Sequence, residues 1–332
     1  MTVNRKVVLA QYPEGLPTPD CFRVEEEELA LPGEGQVLVA NEHLSIDAWI
    51  TTTLGGGGIH TNVPLGGLVA ALGVGRVLES GTGDFAPGDA VFGPLCAQTH
   101  MLAPAAMLRK VDDTLVPAQA YLGALGLTTG LTAHIGLVAV GEIQAGDTVV
   151  VSAAAGAVGS FACEIARLRG AQVIGIAGGP EKVRYVEQEL GAAAGIDYKN
   201  EDIGARLTEL APDGVNLFFD NVGGATLDAV LEHIAPRARV VICGAISQYP
   251  NTQNAQGPNR YLKLAERNSS MRGFTVDFWA DHHDAALAEL GQWLRDGDFH
   301  VREHVLQGVE RFPEALGLLF NGGHIGKLTV QP

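Results

Sequence analysis

Positive charge is in short supply: 22 Lys and Arg stand against 38 Asp and Glu over 332 residues, a formal net charge of −16. Nucleic-acid binders need a basic face, so that class of partner is not expected; like charge instead keeps the chain dispersed. Cysteine is sparse too. Cys21, Cys96, Cys163 and Cys243 are scattered, with no C-x-x-C pair. This argues against a disulfide framework or a thiolate zinc cluster and points to a reducing, cytoplasmic setting. Long apolar runs are missing. The longest, at 122–140, is broken by Gly, Thr and His, so no membrane span is expected. The opening MTVNRKVVLA has no apolar h-region, so no signal peptide is expected. The ten histidines form no H-E-x-x-H, and no G-x-S-x-G elbow occurs. Zinc chemistry and a serine hydrolase therefore lack their residues, and no metal ligands are assigned.

Glycine is abundant: 43 residues, about 13% against an average near 7%. No G-X-Y period accompanies it, so turns and close backbone approaches are the expected use. With 46% hydrophobic and 18% charged residues, a sizeable core is available and wholesale disorder is excluded. The length suggests about two domains.

Residues 1–122 read as β-rich, with short apolar runs at 7–9, 36–41, 72–79 and 90–92 punctuated by Pro32-Gly33, Gly81-Thr82-Gly83 and Pro87-Gly88-Asp89. The glutamates at 25–28 read as a solvated face, and the four glycines at 55–58 as a loop. From 123 the texture changes. A long helix is expected at 125–141. Strand and helix patterns then alternate: 147–152, 158–169, 172–176, 181–190, 195–197, 203–210, 215–220, 227–234 and 239–244. Such alternation implies a parallel sheet covered on both faces, and continuously apolar strands such as VVV suit it. An amphipathic helix at 284–295 precedes short β pieces at 300–305 and 327–330. The expected architecture is α/β. A doubly wound Rossmann domain at 123–299 is inserted into a β-rich domain built from 1–122 and 300–332.

The strongest local signal is Asp147-Thr-Val-Val-Val-Ser-Ala-Ala-Ala-Gly-Ala-Val-Gly-Ser160. A strand runs into a glycine turn and then a helix, with Ala153, Gly156 and Gly159 in the G-x-G-x-x-G spacing. Gly156 would admit a pyrophosphate close to the backbone, and Gly159 would let the helix pack on the strand. The N–H groups of Ala157 and Val158 would point at the phosphates. The second strand ends Ile176-Ala177-Gly178-Gly179-Pro180, with no acid at its tip for a ribose 2′-hydroxyl. Glu181 opens the next helix and Lys182 follows. An acid-free tip with a nearby cation favours a 2′-phosphate, hence NADPH; the alternative for Lys182 is a surface lysine. Asn221, in Phe218-Phe219-Asp220-Asn221-Val222-Gly223-Gly224, could meet the cofactor or only cap a helix. Tyr249, in Cys243-Gly244-Ala245-Ile246-Ser247-Gln248-Tyr249-Pro250, could donate to a carbonyl or ribose oxygen or be structural.

These motifs resemble the zinc-independent medium-chain dehydrogenase/reductases, within them the leukotriene hydroxydehydrogenase/prostaglandin reductase and alkenal double-bond reductase group. The likeness runs nearly end to end. It includes Leu44-Ser45-Ile46-Asp47, Pro64-Leu65-Gly66-Gly67, Gly73-Val74-Gly75 and Phe85-Ala86-Pro87-Gly88-Asp89. It continues through Gly126-Leu127-Thr128-Thr129-Gly130-Leu131-Thr132-Ala133, Glu181-Lys182-Val183, Tyr198-Lys199, Met271-Arg272-Gly273-Phe274 and Gly326-Lys327. The resemblance implies a GroES-like β domain joined to a Rossmann domain, with the site in the cleft between them. It implies reduction of the carbon–carbon double bond of α,β-unsaturated ketones or aldehydes with NADPH.

By matching position, Lys182 would hold the 2′-phosphate and Tyr198 would lie beside it. Gly178, Asn221, Cys243, Phe274, Val276 and His324 would line the cofactor, the two at 274 and 276 near the nicotinamide. Tyr249 would face the substrate carbonyl. Trp49 stands where the family often has tyrosine, Thr51 where it has arginine, and His324 where it has asparagine. Trp49 and Tyr249 would form the substrate pocket. Hydride reaching the β carbon leaves charge on the carbonyl oxygen, and a well-aimed hydroxyl stabilises it by up to ~4 kcal/mol. The resemblance also implies a homodimer, through a sixth strand around 272–276. A quinone reductase and a non-catalytic NADPH-binding sensor are the alternatives.

Overall fold

The computed structural model describes residues 2–55, 60–249, 255–299 and 301–332. Glycines 56–58, Pro250 and His300, each part of an expectation above, lie outside them. The chain divides into two compact units, Met1–Gly123 with Glu303–Pro332, and Ala124–Pro250 with Asn254–Arg302.

The first unit opens with strands β1 (Thr2–Leu9), β2 (Phe22–Leu29), β3 (Gln36–Ser45), β4 (Gly73–Ser80), β5 (Ala90–Gly93), β6 (His100–Pro104) and β7 (Arg109–Lys110). The second carries β8 (Thr148–Ser152), β9 (Gln172–Ala177), β10 (Ala194–Asp197), β11 (Val215–Asp220), β12 (Ile234–Ile242) and β13 (Ser270–Gly273). Its helices are α1 (Gly130–Ile135), α2 (Ala157–Leu168), α3 (Pro180–Gln188), α4 (Ile203–Leu210), α5 (Gly224–Leu231), α6 (Leu262–Glu266) and α7 (His283–Asp296). The chain then returns to the first unit with β14 (Glu303–Gln307), α8 (Phe312–Asn321) and β15 (Lys327–Gln331).

In the second unit the sheet order is β10-β9-β8-β11-β12-β13, every pair parallel. Strand order reverses beside β8, the doubly wound arrangement. Val150, Ile174, Ile196, Phe218 and Val240 put one buried side chain from each of five strands into a common core, closed by Leu207, Leu227 and Leu231 from the helices. The glycine-rich start of the long apolar stretch makes a turn, not a helix. Thr129 has non-helical backbone (φ −136°, ψ −97°), and Leu131 N–H donates to the Gly126 carbonyl at 3.0 Å. The helix expected from 125 therefore starts at Gly130, and it widens into a π-type turn at Gly136–Val140.

In the first unit the main sheet runs β14-β15-β3-β4-β5-β7, with β6 also on β3. Val37, Val39, Leu44, Val77 and Val91 pack beneath it with Leu306, Leu328 and Val330 from the returning segment. The glutamate run lies on β2, antiparallel to β1. Its charges meet cations across the pair: Lys6 Nζ is 2.5 Å from Glu27 and Arg5 is 3.7 Å from Glu26.

Where β15 crosses the end of β3, a lysine is fully buried. Lys327 is 1% exposed, and its Nζ donates to Ser45 Oγ (2.6 Å), Asp47 Oδ1 (2.8 Å) and the Ile46 carbonyl (3.4 Å). Ser45 Oγ in turn donates to Asp47 Oδ2 at 2.5 Å. All three ammonium protons thus have acceptors, which makes the burial tolerable. Asp47→Ala leaves that ammonium buried without its carboxylate. Denaturant unfolding should show a loss of about 3–5 kcal/mol; a variant as stable as the parent would mean that Lys327 escapes to solvent.

Candidate functional site

The glycine turn forms as the spacing suggests. β8 ends at Ser152, Ala153 adopts a left-handed φ of +49°, and Gly156 N–H donates to the Ala153 carbonyl at 2.9 Å. Helix α2 then starts at Ala157, with no side chain capping its N-terminus. The first N–H groups of a helix have no partner inside it, and the helix dipole adds positive potential, so Ala157 and Val158 present an anion site. A Cβ on Gly159 would lie 2.2 Å from the Ala153 carbonyl oxygen. No larger residue fits, and the close approach aims the helix end at the turn. Gly156 is less constrained, with 3.3 Å to that oxygen.

The adenosine side is built at the tips of β9 and β10. Gly178 is overlaid by its neighbours: a Cβ there would lie 2.8 Å from Tyr198 Cε1 and 3.0 Å from Lys199 Cε. Tyr198 is 52% exposed, a ring face open to a planar ligand. Asp197 fixes this corner from below. Its Oδ1 accepts from Gly179 N–H at 2.7 Å and Lys199 N–H at 3.1 Å, and its Oδ2 accepts from Asn200 at 2.7 Å. Burial works against its charge, but these donors and the Lys199 cation outweigh it and hold the carboxyl below the usual range. Its carboxylate is thus spent on backbone, and the strand tip keeps no acid for a ribose. Lys182 is half-buried. Burial, and then the like charge of Lys199, lowers its pKa. Two crowded ammoniums invite a dianion, which suits a 2′-phosphate.

On the other side of β8, the tips of β11 and β12 are laced together. Cys243 and Gly244 N–H donate to the Asp220 carbonyl at 2.9 and 3.1 Å, and Ile246 N–H to that of Asn221 at 3.1 Å. Ser247 Oγ donates to the Val222 carbonyl at 2.6 Å. Burial, with some help from the Asp220 charge, pushes the Cys243 thiol up to about 12, so it is an inert wall and not a nucleophile. Tyr249 folds back over Gly244, 3.0 Å from where a Cβ would sit. Its hydroxyl accepts from Ala245 N–H at 3.4 Å, and its own proton goes to no described residue. Burial raises its pKa, so it remains a donor at neutral pH.

Phe274 packs its ring against the backbone of Gly136, where a Cβ would lie 2.7 Å from its Cζ. Val276 is buried, and its carbonyl accepts from His283 Nε2 at 3.0 Å. The second unit thus brings Ala153, Gly156, Ala157, Val158 and Gly159 together between the Gly178–Lys182–Tyr198 corner and the Asn221–Cys243–Tyr249 loops.

Trp49 and His324 belong to the first unit. Trp49 lies on the short helical turn Ala48–Thr53, its ring 5.5 Å from that of His60. Its buried Nε1–H finds no acceptor among the described residues. Thr52 Oγ donates to the Trp49 carbonyl at 2.6 Å and therefore accepts from His60 Nδ1 at 2.7 Å. Thr51 Oγ turns back to the Ala48 carbonyl at 2.7 Å. His324 is buried, and its Nδ1 must be the protonated one, since it donates to the Leu318 carbonyl at 3.1 Å.

Sequence reasoning passed over Ser152, Asp197, Lys199 and Asp220. Asp220 was visible as an acid closing an otherwise apolar strand, and Lys199 as the neighbour of Tyr198. Ser152 and Asp197 carry no signal until strand order is known.

Residues 5–111 match the family model described as the N-terminal domain of oxidoreductase, and residues 157–290 the one described as zinc-binding dehydrogenase. The chain is 39% identical to YfmJ of Bacillus subtilis over 99% of this chain and 97% of that one; that protein's name assigns it provisionally to the NADP-dependent oxidoreductases. A 2-alkenal reductase (NADP+-dependent) of Nicotiana tabacum is 34% identical over 99% and 97%. The crystal structure of CurA from Vibrio vulnificus in complex with NADPH superimposes with a TM-score of 0.92, 33% identity and 98% coverage of both chains. The chain belongs to the zinc-independent medium-chain dehydrogenase/reductases. It is an NADP-dependent oxidoreductase, with NADPH/NADP+ as its cofactor. Among the described residues no three His, Cys, Asp or Glu side chains are grouped to hold a metal ion.

Gly159→Ala should cost about 1–3 kcal/mol through overpacking and weaken NADPH binding. Gly257→Ala, at a site with open space around it, should leave both unchanged. Melting curves with a fluorescence titration check the pair, and equal behaviour of the two variants would refute the close-approach account.

Proposed function

We propose that this enzyme reduces the carbon–carbon double bond of α,β-unsaturated ketones or aldehydes. The observation that carries this reading is Tyr249, a half-buried phenol whose hydroxyl keeps a donor to spare beside the Asn221 loop. Likeness to a relative named 2-alkenal reductase supports it. Bound NADPH supplies the hydride. The α2 N-terminus holds the pyrophosphate; Lys182 and Lys199, with Tyr198 over Gly178, hold the 2′-phosphate end. Asn221, Cys243, Phe274 and Val276 line the rest of the cofactor, and Tyr249 faces the substrate. Tyr249 donates to the carbonyl oxygen as the β carbon accepts hydride and stabilises the enolate. The α carbon then takes a proton from water, so the chain needs no strong acid at the site.

The four described cysteines are unpaired, which suits a reducing cytoplasm, and no described helix is long and apolar enough to cross a membrane. Strand β13 is one of the two edges of its sheet. Met271 on it, and Phe278 nearby at 89% exposure, present apolar surface. A second copy pairing along this edge makes the enzyme a homodimer.

Absorbance at 340 nm tests the chemistry against an alkenal, an alkenone and a quinone. Enones are expected to turn over, and Tyr249→Phe to lose about 10²–10³ in kcat. Quinone turnover alone, or NADPH binding without any turnover, would replace this reading with a quinone reductase or a sensor. Lys182→Ala should weaken NADPH at least ten-fold and NADH hardly at all. Its sign with pH is fixed: only the ammonium pairs with phosphate. NADPH affinity should therefore fall as pH rises through the lowered Lys182 pKa, and the variant should lose that dependence. For assembly, Phe278→Glu should shift the mass seen by light scattering from dimer to monomer; a parent that is already monomeric refutes the edge pairing.

A further inference from the structure

Asp220 is a fully buried carboxylate in the cofactor-binding unit, yet every donor it meets is neutral. Its Oδ1 accepts from Ser152 Oγ (2.7 Å), Val222 N–H (3.0 Å) and Gly223 N–H (3.1 Å), and its Oδ2 accepts from Gly223 N–H (3.0 Å). An ionised carboxylate only accepts, so the Ser152 hydroxyl must give it its proton. Ser152 Oγ is then left as an acceptor, and it receives Asn221 N–H at 2.8 Å. The Asn221 side chain is oriented by the same logic. Its Nδ2 donates to the Ser152 carbonyl at 2.7 Å, and a carbonyl cannot donate, so the amide cannot be flipped. Asn221 Oδ1 therefore points away from the strand and takes no hydrogen bond from a described residue. The Asp220 charge thus fixes the direction of the Ser152 hydroxyl, which holds the Asn221 backbone, and the Ser152 carbonyl leaves Asn221 Oδ1 as one oriented acceptor.

The topology says what that acceptor serves. The phosphate turn lies at the tip of β8, and the Lys182–Tyr198 corner lies at β9 and β10. A dinucleotide centred on that turn must send its other half across β11. We propose that Asp220 is a positioning residue, acting through Ser152 and Asn221, that sets the nicotinamide half of NADPH and not the adenosine half. This rests on the placement of the 2′-phosphate at Lys182 given above. Asp220→Asn keeps the shape but brings an NH₂ group into a cluster of donors. With the amide oxygen at the Oδ1 position the new NH₂ group faces Gly223 N–H; with the amide turned, the Ser152 hydroxyl and the Val222 and Gly223 N–H groups lose the acceptor they share.

Two probes separate the halves: NADPH, and adenosine 2′,5′-bisphosphate, which has no nicotinamide. For the full chain, titration calorimetry should show Asp220→Asn weakening NADPH about ten-fold or more while the bisphosphate stays within two-fold of the parent. Ser152→Ala, which keeps Asp220 on its two backbone donors, should show the same pattern at smaller size, and decides the matter if Asp220→Asn does not fold. Asp220→Glu should not rescue NADPH, because the longer acid cannot keep these contacts. Unchanged NADPH affinity, or equal weakening of both probes, would overturn the proposal; the second would mark Asp220 as merely structural. Failure of the parent to bind the bisphosphate would instead refute the Lys182 site.

Discussion

The cofactor face depends on one steric constraint, the contact of α2 with the turn that precedes it. Because Gly159 has no side chain, the Ala153 carbonyl can sit where a Cβ would be. That distance sets where the helix axis points, and so where its unpaired N–H groups converge. The flanking corners add direction to this anchor. On one side Tyr198 and Lys199 overlie Gly178, with Lys182 on the following helix; on the other a buried carboxylate orders a short chain of hydrogen bonds.

Much of this was legible before the structure, and the reason is periodicity. The run Val149–Val151 is apolar without interruption because β8 is a central strand of a parallel sheet and all three valines are fully buried. Glycine and alanine at 153, 156 and 159 recur at the spacing that a strand–turn–helix imposes. What stayed hidden was relational. Asp197 and Ser152 acquire meaning only from a partner on an adjacent strand, which spacing cannot show. The early helix boundary failed for a different reason: a mixed run of Leu, Gly and Thr between 125 and 129 suits a turn as well as a helix, and the Gly126 carbonyl decides in favour of the turn. The glutamates at 25–28 read as a solvated face; Glu26 and Glu28 are exposed, and cations on β1 meet Glu26 and Glu27 across the strand pair.

The first unit solves another problem. Its chain leaves for almost two hundred residues and returns, so its last strand must be recognised by its first ones. The Lys327–Asp47–Ser45 ring does this with charge and direction together, at a place where apolar packing alone would tolerate a register shift. Tests of Trp49 should keep in view that its helical turn follows directly from Asp47.

The lysine pair beside Gly178 also has a kinetic consequence. The protein as a whole carries a formal charge of −16, so at low salt a polyanionic dinucleotide is repelled at long range, and at physiological ionic strength that field is largely screened beyond a Debye length of about 8 Å. Inside that range the two ammoniums dominate. Added salt therefore acts in opposite senses along one encounter: it lowers the outer barrier and loosens the inner grip. For a ligand held by the two ammoniums, arrival and residence would be governed by different charges, and an intermediate ionic strength would serve both.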